Sequence, residues 1–146
     1  MNKKIIITIT ALTFIWVGMI CGISFLEAPL KFQAPGITLE LGLGIGKLVF
    51  SAMTKIEMSI ALLISAGLVI LKPGRNTWIY YSIPFVILVI DNAILMPILD
   101  ARIDLITNGT TPPKSNAHWW YVALELIKLI GLILAGVDFI KSRVKD

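Results

Sequence analysis

The sequence predicts an all-α integral membrane protein, a four-helix transmembrane bundle whose two termini both lie on the cytoplasmic side. The chain is 57% hydrophobic and 15% charged, with a mean hydropathy of +0.87, whereas soluble domains are nearer half apolar and a quarter charged. Four apolar segments approach or exceed the roughly 20 residues that a helix needs to cross a bilayer. Every connection between them is too short to form a soluble domain, so one transmembrane domain is expected over the whole chain.

The first span is predicted over residues 5–26, an apolar run without a charged residue that follows a short basic start. A signal peptide would have an apolar region of about 7–15 residues and then a small-residue cleavage site, and ISFLEAPLK offers no such site. Two prolines interrupt residues 27–36, which are therefore predicted to form a loop or a broken turn. Thr38 is a candidate N-cap for the next helix.

The second span is predicted over residues 44–71. The glycines at its start, Gly42, Gly44 and Gly46, precede Lys47. This pattern lacks the Walker spacing, and no strand precedes it. Close helix packing or a bend is therefore favoured over a phosphate loop.

The third and fourth spans are predicted over residues 77–96 and 117–140. The turn KPGR separates the second span from the third, in which Pro84 is expected to produce a kink. Residues 97–107 are predicted to form an amphipathic segment on the outer side. The aromatic residues WWY at the entry to the fourth span are typical of membrane-interface anchors.

Lysine and arginine residues divide unevenly between the two ends of the predicted bundle. The richer end holds Lys3, Lys4, Lys72, Arg75, Lys141, Arg143 and Lys145. The other end holds Lys31, Arg102 and Lys114. Because cytoplasmic loops carry the excess of basic residues, both termini are predicted to be cytoplasmic, which agrees with an even number of spans. The expected location is the plasma (inner) membrane.

Three carboxylates interrupt the predicted spans at similar depths. At a rise of about 1.5 Å per residue, Asp91 lies roughly 21 Å and Glu57 roughly 22 Å above the cytoplasmic edge. Glu125 lies about 10 Å below the outer edge of a core that is ~30 Å thick. Lys55 and Lys128 lie within a turn of that level. Since an acid at the centre of a spanning helix costs about 2.5–3.5 kcal/mol, partners or a ligand are expected nearby.

The fourth span carries its polar residues on one helical stripe, which is expected to face the bundle interior or a water-filled cavity. The sequence therefore predicts a polar pocket in the outer half of the bundle. Its predicted ligand- or ion-binding residues are Glu57, Asp91, Asn92, Glu125, Lys128, His118 and Tyr121. Its predicted rim residues are Glu27, Lys31, Lys55 and Arg102.

The residues leave two functions open. In the first, a non-enzymatic membrane protein binds or passes a cation, a proton or a small polar solute in this pocket. In the second, a structural or partner-binding membrane subunit uses the buried charges only to pair helices. Lys55 and Lys128 can neutralise only two of the three acids Glu57, Asp91 and Glu125. The third acid is then expected to be protonated or bound to a cation.

Enzymatic activity and a cofactor are not expected. One histidine and one cysteine cannot form a closed zinc site without carboxylates, and no Ser/His/Asp or Cys/His pattern has a recognisable spacing. The net charge of +4 does not indicate nucleic-acid binding, because no basic patch is interleaved with aromatic residues. The lipid bilayer is the predicted partner, homo-oligomerisation stays open, and the single cysteine, Cys21, is predicted to be a small core residue.

Short motifs resemble a known family. SFLEAPLKF followed by GIGKLVF resembles an AP-x-x-F element and a later glycine-plus-Phe element, and NAILMPILDAR resembles an Asn…Pro…Arg element. The pattern resembles the small four-span proteins that include transmembrane protein 205, grouped under a domain of unknown function. The motif positions are Pro29, Phe32, Phe50, Asn92, Pro97, Arg102 and His118.

The resemblance implies a four-span fold with no settled biochemical activity. One eukaryotic member of that family is associated with the handling of a metal-containing drug. The predicted site residues Glu57, Glu125 and Lys128 have no counterpart in the family pattern, so the resemblance does not carry the drug connection over to this chain.

Overall fold

The computed structural model describes residues 2–144, and the fold is all-α, with 88% of the chain helical. In chain order the elements are α1 (Asn2–Met19), a first π-helical segment (Ile20–Glu27), α2 (Ala28–Leu30), a 3-10 turn (Lys31–Gln33), α3 (Leu39–Leu71), α4 (Arg75–Ile90), a second π-helical segment (Asp91–Leu95), α5 (Met96–Thr107) and α6 (Ala117–Val144).

Three continuous helical stretches are long and apolar enough to cross a membrane. They are Lys3–Gln33, Leu39–Leu71 and Arg75–Thr107. The helix α6 has 28 residues and packs against α1 and α4. The integral membrane character and the all-α class are therefore confirmed.

The first helical stretch is longer than the sequence predicts, because it continues through Pro29 as far as Gln33. Pro29 lies inside this continuous stretch, two residues after the first π-helical segment ends at Glu27. Its missing N–H removes one backbone hydrogen bond from the helix. The helix continues nonetheless, so the predicted loop over residues 27–36 is wrong for its first seven residues. The chain becomes extended at Ala34, the residue before Pro35, as steric contact with the proline ring requires.

The second helix begins at the predicted cap. The Thr38 side chain accepts a hydrogen bond from the backbone N–H of Leu41 at 3.2 Å, so α3 starts at Leu39, ahead of the predicted boundary at residue 44. It ends at Leu71, and the next residue, Lys72, adopts a left-handed conformation with φ of 46°. That conformation stops the helix before Pro73 and allows the chain to reverse.

The glycines of α3 permit close packing, as the sequence favoured. A Cβ atom on Gly42 would collide with the ring of Phe32, and one on Gly46 would lie 2.9 Å from Nζ of Lys31. These two positions let the end of the first helical stretch approach the α3 backbone. Gly44 has open space around its Cα.

The third helical stretch does not end at residue 96. The chain passes without interruption through α4, the second π-helical segment and α5, so residues 97–107 continue the same helical stretch. Pro97 lies inside this continuous stretch, two residues after the second π-helical segment ends at Leu95, and its missing N–H removes one backbone hydrogen bond.

A contiguous apolar core lies between the helices of the bundle. Its buried residues are Ile9, Trp16, Ile20, Met53, Ile60, Ile64, Leu68, Tyr81, Leu88, Leu132, Ala135 and Phe139. Cys21 is exposed, so its predicted core position is wrong. The reason is that Ile20 faces the core with 0% exposure, and the helical rotation turns the next residue away.

Candidate functional site

Three carboxylates surround one lysine in the interior of the bundle. The Nζ atom of Lys128 lies 3.3 Å from a carboxylate oxygen of Glu57 and 3.4 Å from Oδ2 of Asp91. It also contacts Oε1 of Glu125, one turn earlier on α6. None of these four residues is more than 4% exposed. We call Glu57, Asp91, Glu125 and Lys128 the charge cluster, and its acids meet at one depth, as the sequence predicts.

Two uncharged donors from the first helical stretch complete the cluster. Nε1 of Trp16 donates to Oε1 of Glu57 at 2.7 Å, and the Ser24 hydroxyl donates to Oε2 of Glu125 at 2.9 Å. The cluster therefore connects all four helices, and its charges pair them. Sequence reasoning missed both donors because neither is charged. Their eight-residue spacing around buried Ile20 places them on one face, which is the signal that could have identified them.

The π-helical segments place two of these side chains. Asp91 begins the second segment, Asp91–Leu95, and Ser24 lies within the first, Ile20–Glu27. Such wider turns are rare in α-helices and occur frequently at functional sites. Here they occur at the depth where the two helices meet the charge cluster.

Asn92 and Lys55 do not join the cluster, so their predicted place in the pocket is wrong. Asn92 is exposed, and its side-chain amide lies 3.5 Å from the sulfur of Met58. Since Asp91 points inward, the next helical residue points outward. Lys55 is exposed as well, because it precedes the buried Glu57 by only two residues on α3.

The remaining predicted site residues lie beside a separate cavity of about 570 Å³. The cavity is located beyond the cluster, toward the loops at residues 34–38 and 108–116. Its polar lining residues are Ser24, Lys31, Lys47, Asp100, Arg102, His118 and Tyr121. No member of the charge cluster lines it. The residues of the single predicted pocket therefore fall into two places, the closed charge cluster and the cavity next to it.

Tyr121 and His118 enter the cavity from α6. Tyr121 is 9% exposed, and its ring meets that of Phe50 edge to face with centroids 5.7 Å apart. His118 is exposed and lies further from the cluster, near the start of α6. Both were predicted above the acids, and the structure places them there.

Three of the predicted rim residues, Glu27, Lys31 and Arg102, have polar partners within the chain. Lys31 pairs with Glu27 at 3.4 Å, and its ammonium lies 5.6 Å from the ring centroid of Phe50. Arg102 donates to the backbone carbonyl of Pro113. Lys47, outside the predicted set, pairs with Asp104 at 2.6 Å, so most of the cations at the cavity have acidic or carbonyl partners.

Two oxygens of the charge cluster have no hydrogen-bond donor in the described part of the chain, and one of them, Oε1 of Glu125, is in ion-pair contact with the Lys128 ammonium. Oδ1 of Asp91 is buried and has no hydrogen-bond partner among the residues that the structure describes. Across residues 2–144, no group of three or more His, Cys, Asp or Glu side chains is arranged to hold a metal ion. The ammonium of Lys128 occupies the position between the three carboxylates.

Comparisons with protein-family models, curated proteins and solved structures found no match to this chain. The resemblance to the four-span family stays a prediction from its short motifs. The function is therefore argued from the geometry of the charge cluster and the cavity.

Proposed function

We propose that the protein is a small, non-enzymatic integral membrane protein whose charge cluster binds exchangeable protons while it pairs the helices. The observation that supports this function is the composition of the cluster, in which one ammonium lies among three carboxylates that are at most 4% exposed.

The charge balance favours bound protons. Three ionised carboxylates and one ammonium sum to a charge of −2, and an uncompensated buried charge is expensive within a membrane. Two protons would bring the cluster to neutrality. Oδ1 of Asp91 is a suitable site for one of them, because a buried carboxylate oxygen without a donor is unfavourable unless the group is neutral.

A metal ion is less suited to the cluster than a proton. Oxygen ligands lie about 2.0–2.6 Å from Mg²⁺ or Ca²⁺, and the Lys128 ammonium already occupies the space between the acids. A metal ion would have to displace that ammonium, whereas a proton needs no additional volume. The structure therefore favours the proton among the ligands that the sequence leaves open.

The alternative function is that of a structural or partner-binding subunit whose charges only pair helices. Each carboxylate does receive a donor, from Trp16, Ser24 or Lys128. In that case the protonation state would not change when the pH of the medium changes. The two functions thus differ in the protonation equilibrium of the buried carboxyl groups, which can be measured.

The test is an infrared pH titration of the purified protein in detergent, which follows the C=O stretch of protonated carboxyl groups. We expect a buried carboxylic-acid signal that titrates, and a thermal melting temperature that changes with pH in parallel. Asp91→Asn should remove part of the signal and the pH dependence of melting. Asp104→Asn, which changes an acid with a 57% exposed side chain on α5, is the matched control. A wild-type protein without a titrating signal would support the structural alternative.

We further infer four spans with both termini cytoplasmic, in the plasma (inner) membrane. Support comes from the length of α6, 28 residues or about 42 Å at 1.5 Å per residue, and from its contribution of Glu125 and Lys128 to the interior. The excess of basic residues at the terminal end agrees with this orientation. A reporter fused to the C terminus should be active only in the cytoplasm, and activity outside would overturn the topology.

A further inference from the structure

The Ser24 side chain is in contact with both the charge cluster and the cavity. It is part of the cavity lining, and its hydroxyl lies 2.9 Å from Oε2 of Glu125. Glu125 itself is 1% exposed and does not line the cavity. The Ser24 hydroxyl therefore lies between a buried carboxylate of the charge cluster and a space of about 570 Å³, which is large enough for several water molecules at about 30 Å³ each.

The opposite side of the cluster is closed by the apolar core. Leu132, Ile64 and Phe139 are 0% exposed there. Trp16 cannot pass a proton onward, because an indole N–H is a donor only. The described part of the chain thus shows polar access to the cluster from the cavity side and an apolar barrier on the other.

The polar groups beyond Trp16 form a closed pair. The Thr13 hydroxyl donates to the carbonyl of Ile9 at 2.8 Å. With that proton committed, the Tyr81 hydroxyl at 2.7 Å is the donor to Thr13. The Thr13 proton is therefore taken by the Ile9 carbonyl and the Tyr81 proton by Thr13, so neither is directed at Glu57.

We propose that the cavity is the proton entrance of the charge cluster and that the Ser24 hydroxyl is the relay between them. This inference rests on the proposed function, since a relay requires a cluster that exchanges protons. It adds the route by which protons reach the cluster, which begins at the end of the bundle that holds the loops at residues 34–38 and 108–116. This end is the outer side in the orientation inferred above.

The transfer step is balanced. A hydronium ion in the cavity gives a proton to Oγ of Ser24, while the original Oγ–H bond breaks and its proton moves to Oε2 of Glu125. The hydroxyl is regenerated, one water molecule remains in the cavity, and the carboxylate becomes a carboxylic acid. Rotation of the Ser24 side chain then restores the starting hydrogen bond.

Charged and titratable groups surround this route on every packed element. The groups facing Glu125 are Lys128 and Tyr121 on α6, Glu57 on α3 and Asp91 in the second π-helical segment. The groups at the cavity are Lys31, Lys47, Asp100, Arg102 and His118. Glu27 and Asp104 pair with two of these cations, so the entrance is close to charge balance and does not exclude a hydronium ion.

The test measures how fast the buried carboxyl groups take up protons after a pH jump, with time-resolved infrared spectroscopy on the full-length protein in vesicles. We expect Ser24→Ala to slow the uptake by about a hundredfold, since a positioned proton-transfer group contributes about 10²–10⁴ in rate. Ser24→Thr, which keeps the hydroxyl, should restore most of the rate. Ser82→Ala, which changes an exposed serine on α4, should leave it unchanged.

The outcomes separate this inference from the proposed function. If the equilibrium titration persists but Ser24→Ala takes up protons at the wild-type rate, the relay is refuted and the proton-binding cluster stands. Equal slowing in Ser24→Ala and Ser24→Thr also refutes the relay, because packing and not the hydroxyl would then control the rate. If no carboxyl group titrates in the wild type, the proposed function fails first.

Discussion

Replacing Lys128 by methionine removes the only positive charge of the charge cluster while keeping most of the side-chain volume. In the wild type the ammonium lies 3.3 Å from Glu57 and 3.4 Å from Asp91, and it contacts Glu125. Each pair at this distance is worth about 5 kcal/mol at an effective dielectric constant of about 20, before the desolvation of both ions is subtracted. The formal charge of the cluster changes from −2 to −3.

The expected loss of stability is about 3–5 kcal/mol, the range observed when one partner of a buried ion pair is removed. The upper part of this range is expected, since three carboxylates lose their common partner. The folded variant can recover part of the loss by binding one more proton than the folded wild type. The stability difference between the variant and the wild type should then increase by about 1.4 kcal/mol for each pH unit above the range in which free carboxyl groups ionise, at about pH 4.

The assay is chemical unfolding in mixed micelles at several pH values, compared with Lys55→Met as the control. Lys55 is exposed on α3, so the same substitution there should leave stability nearly unchanged. The double variant Lys128→Met with Glu57→Gln restores the formal charge of −2 and should be more stable than the single variant. A single variant as stable as the wild type at every pH would refute the argument that the ammonium balances the buried acids.

Two further outcomes follow from contacts outside the ion pairs. Trp16→Phe should destabilise the fold by about 1.5–3 kcal/mol, the contribution of a hydrogen bond to a charged group, because Glu57 loses its indole donor. The free energy of unfolding measures this loss. A smaller loss in a protein that also carries Glu57→Gln would confirm the hydrogen bond between Trp16 and Glu57. Gly67→Ala should cost about 1–3 kcal/mol by overpacking, since its Cβ would lie 2.7 Å from Cδ1 of Ile9. Gly44→Ala, which meets open space on the same helix, should be neutral or stabilising, and equal effects of the two substitutions would contradict this account.

The membrane character and the meeting of the acids could be predicted because both depend on position along a helix. Apolar length identifies a spanning segment, and a constant rise of about 1.5 Å per residue converts sequence separation into depth. Glu57, Asp91 and Glu125 could therefore be assigned to one level without knowledge of how the helices pack. The inward-facing position of Lys128 could be predicted as well, because it belongs to the stripe of polar residues on the fourth apolar segment.

The rotation of each helix about its own axis could not be predicted in the same way. Asn92 and Lys55 lie at the depth of the cluster, yet both are exposed. Trp16 and Ser24 were missed although they donate to its carboxylates. The depth of a residue depends on its own segment alone. The side of a helix that faces the bundle interior depends instead on which neighbouring helix packs against it. Here it also depends on where π-helical turns interrupt the regular helical periodicity.

The sequence by itself determined that this is an apolar, helical membrane protein with buried acids at a common height, because hydropathy and helical rise act within each segment alone. Only the tertiary structure decided that the ammonium of Lys128 lies among those acids and that the open space lies next to them. The physical reason is that an ion pair and a cavity each require atoms from several helices, and the relative placement of those helices is set by their packing.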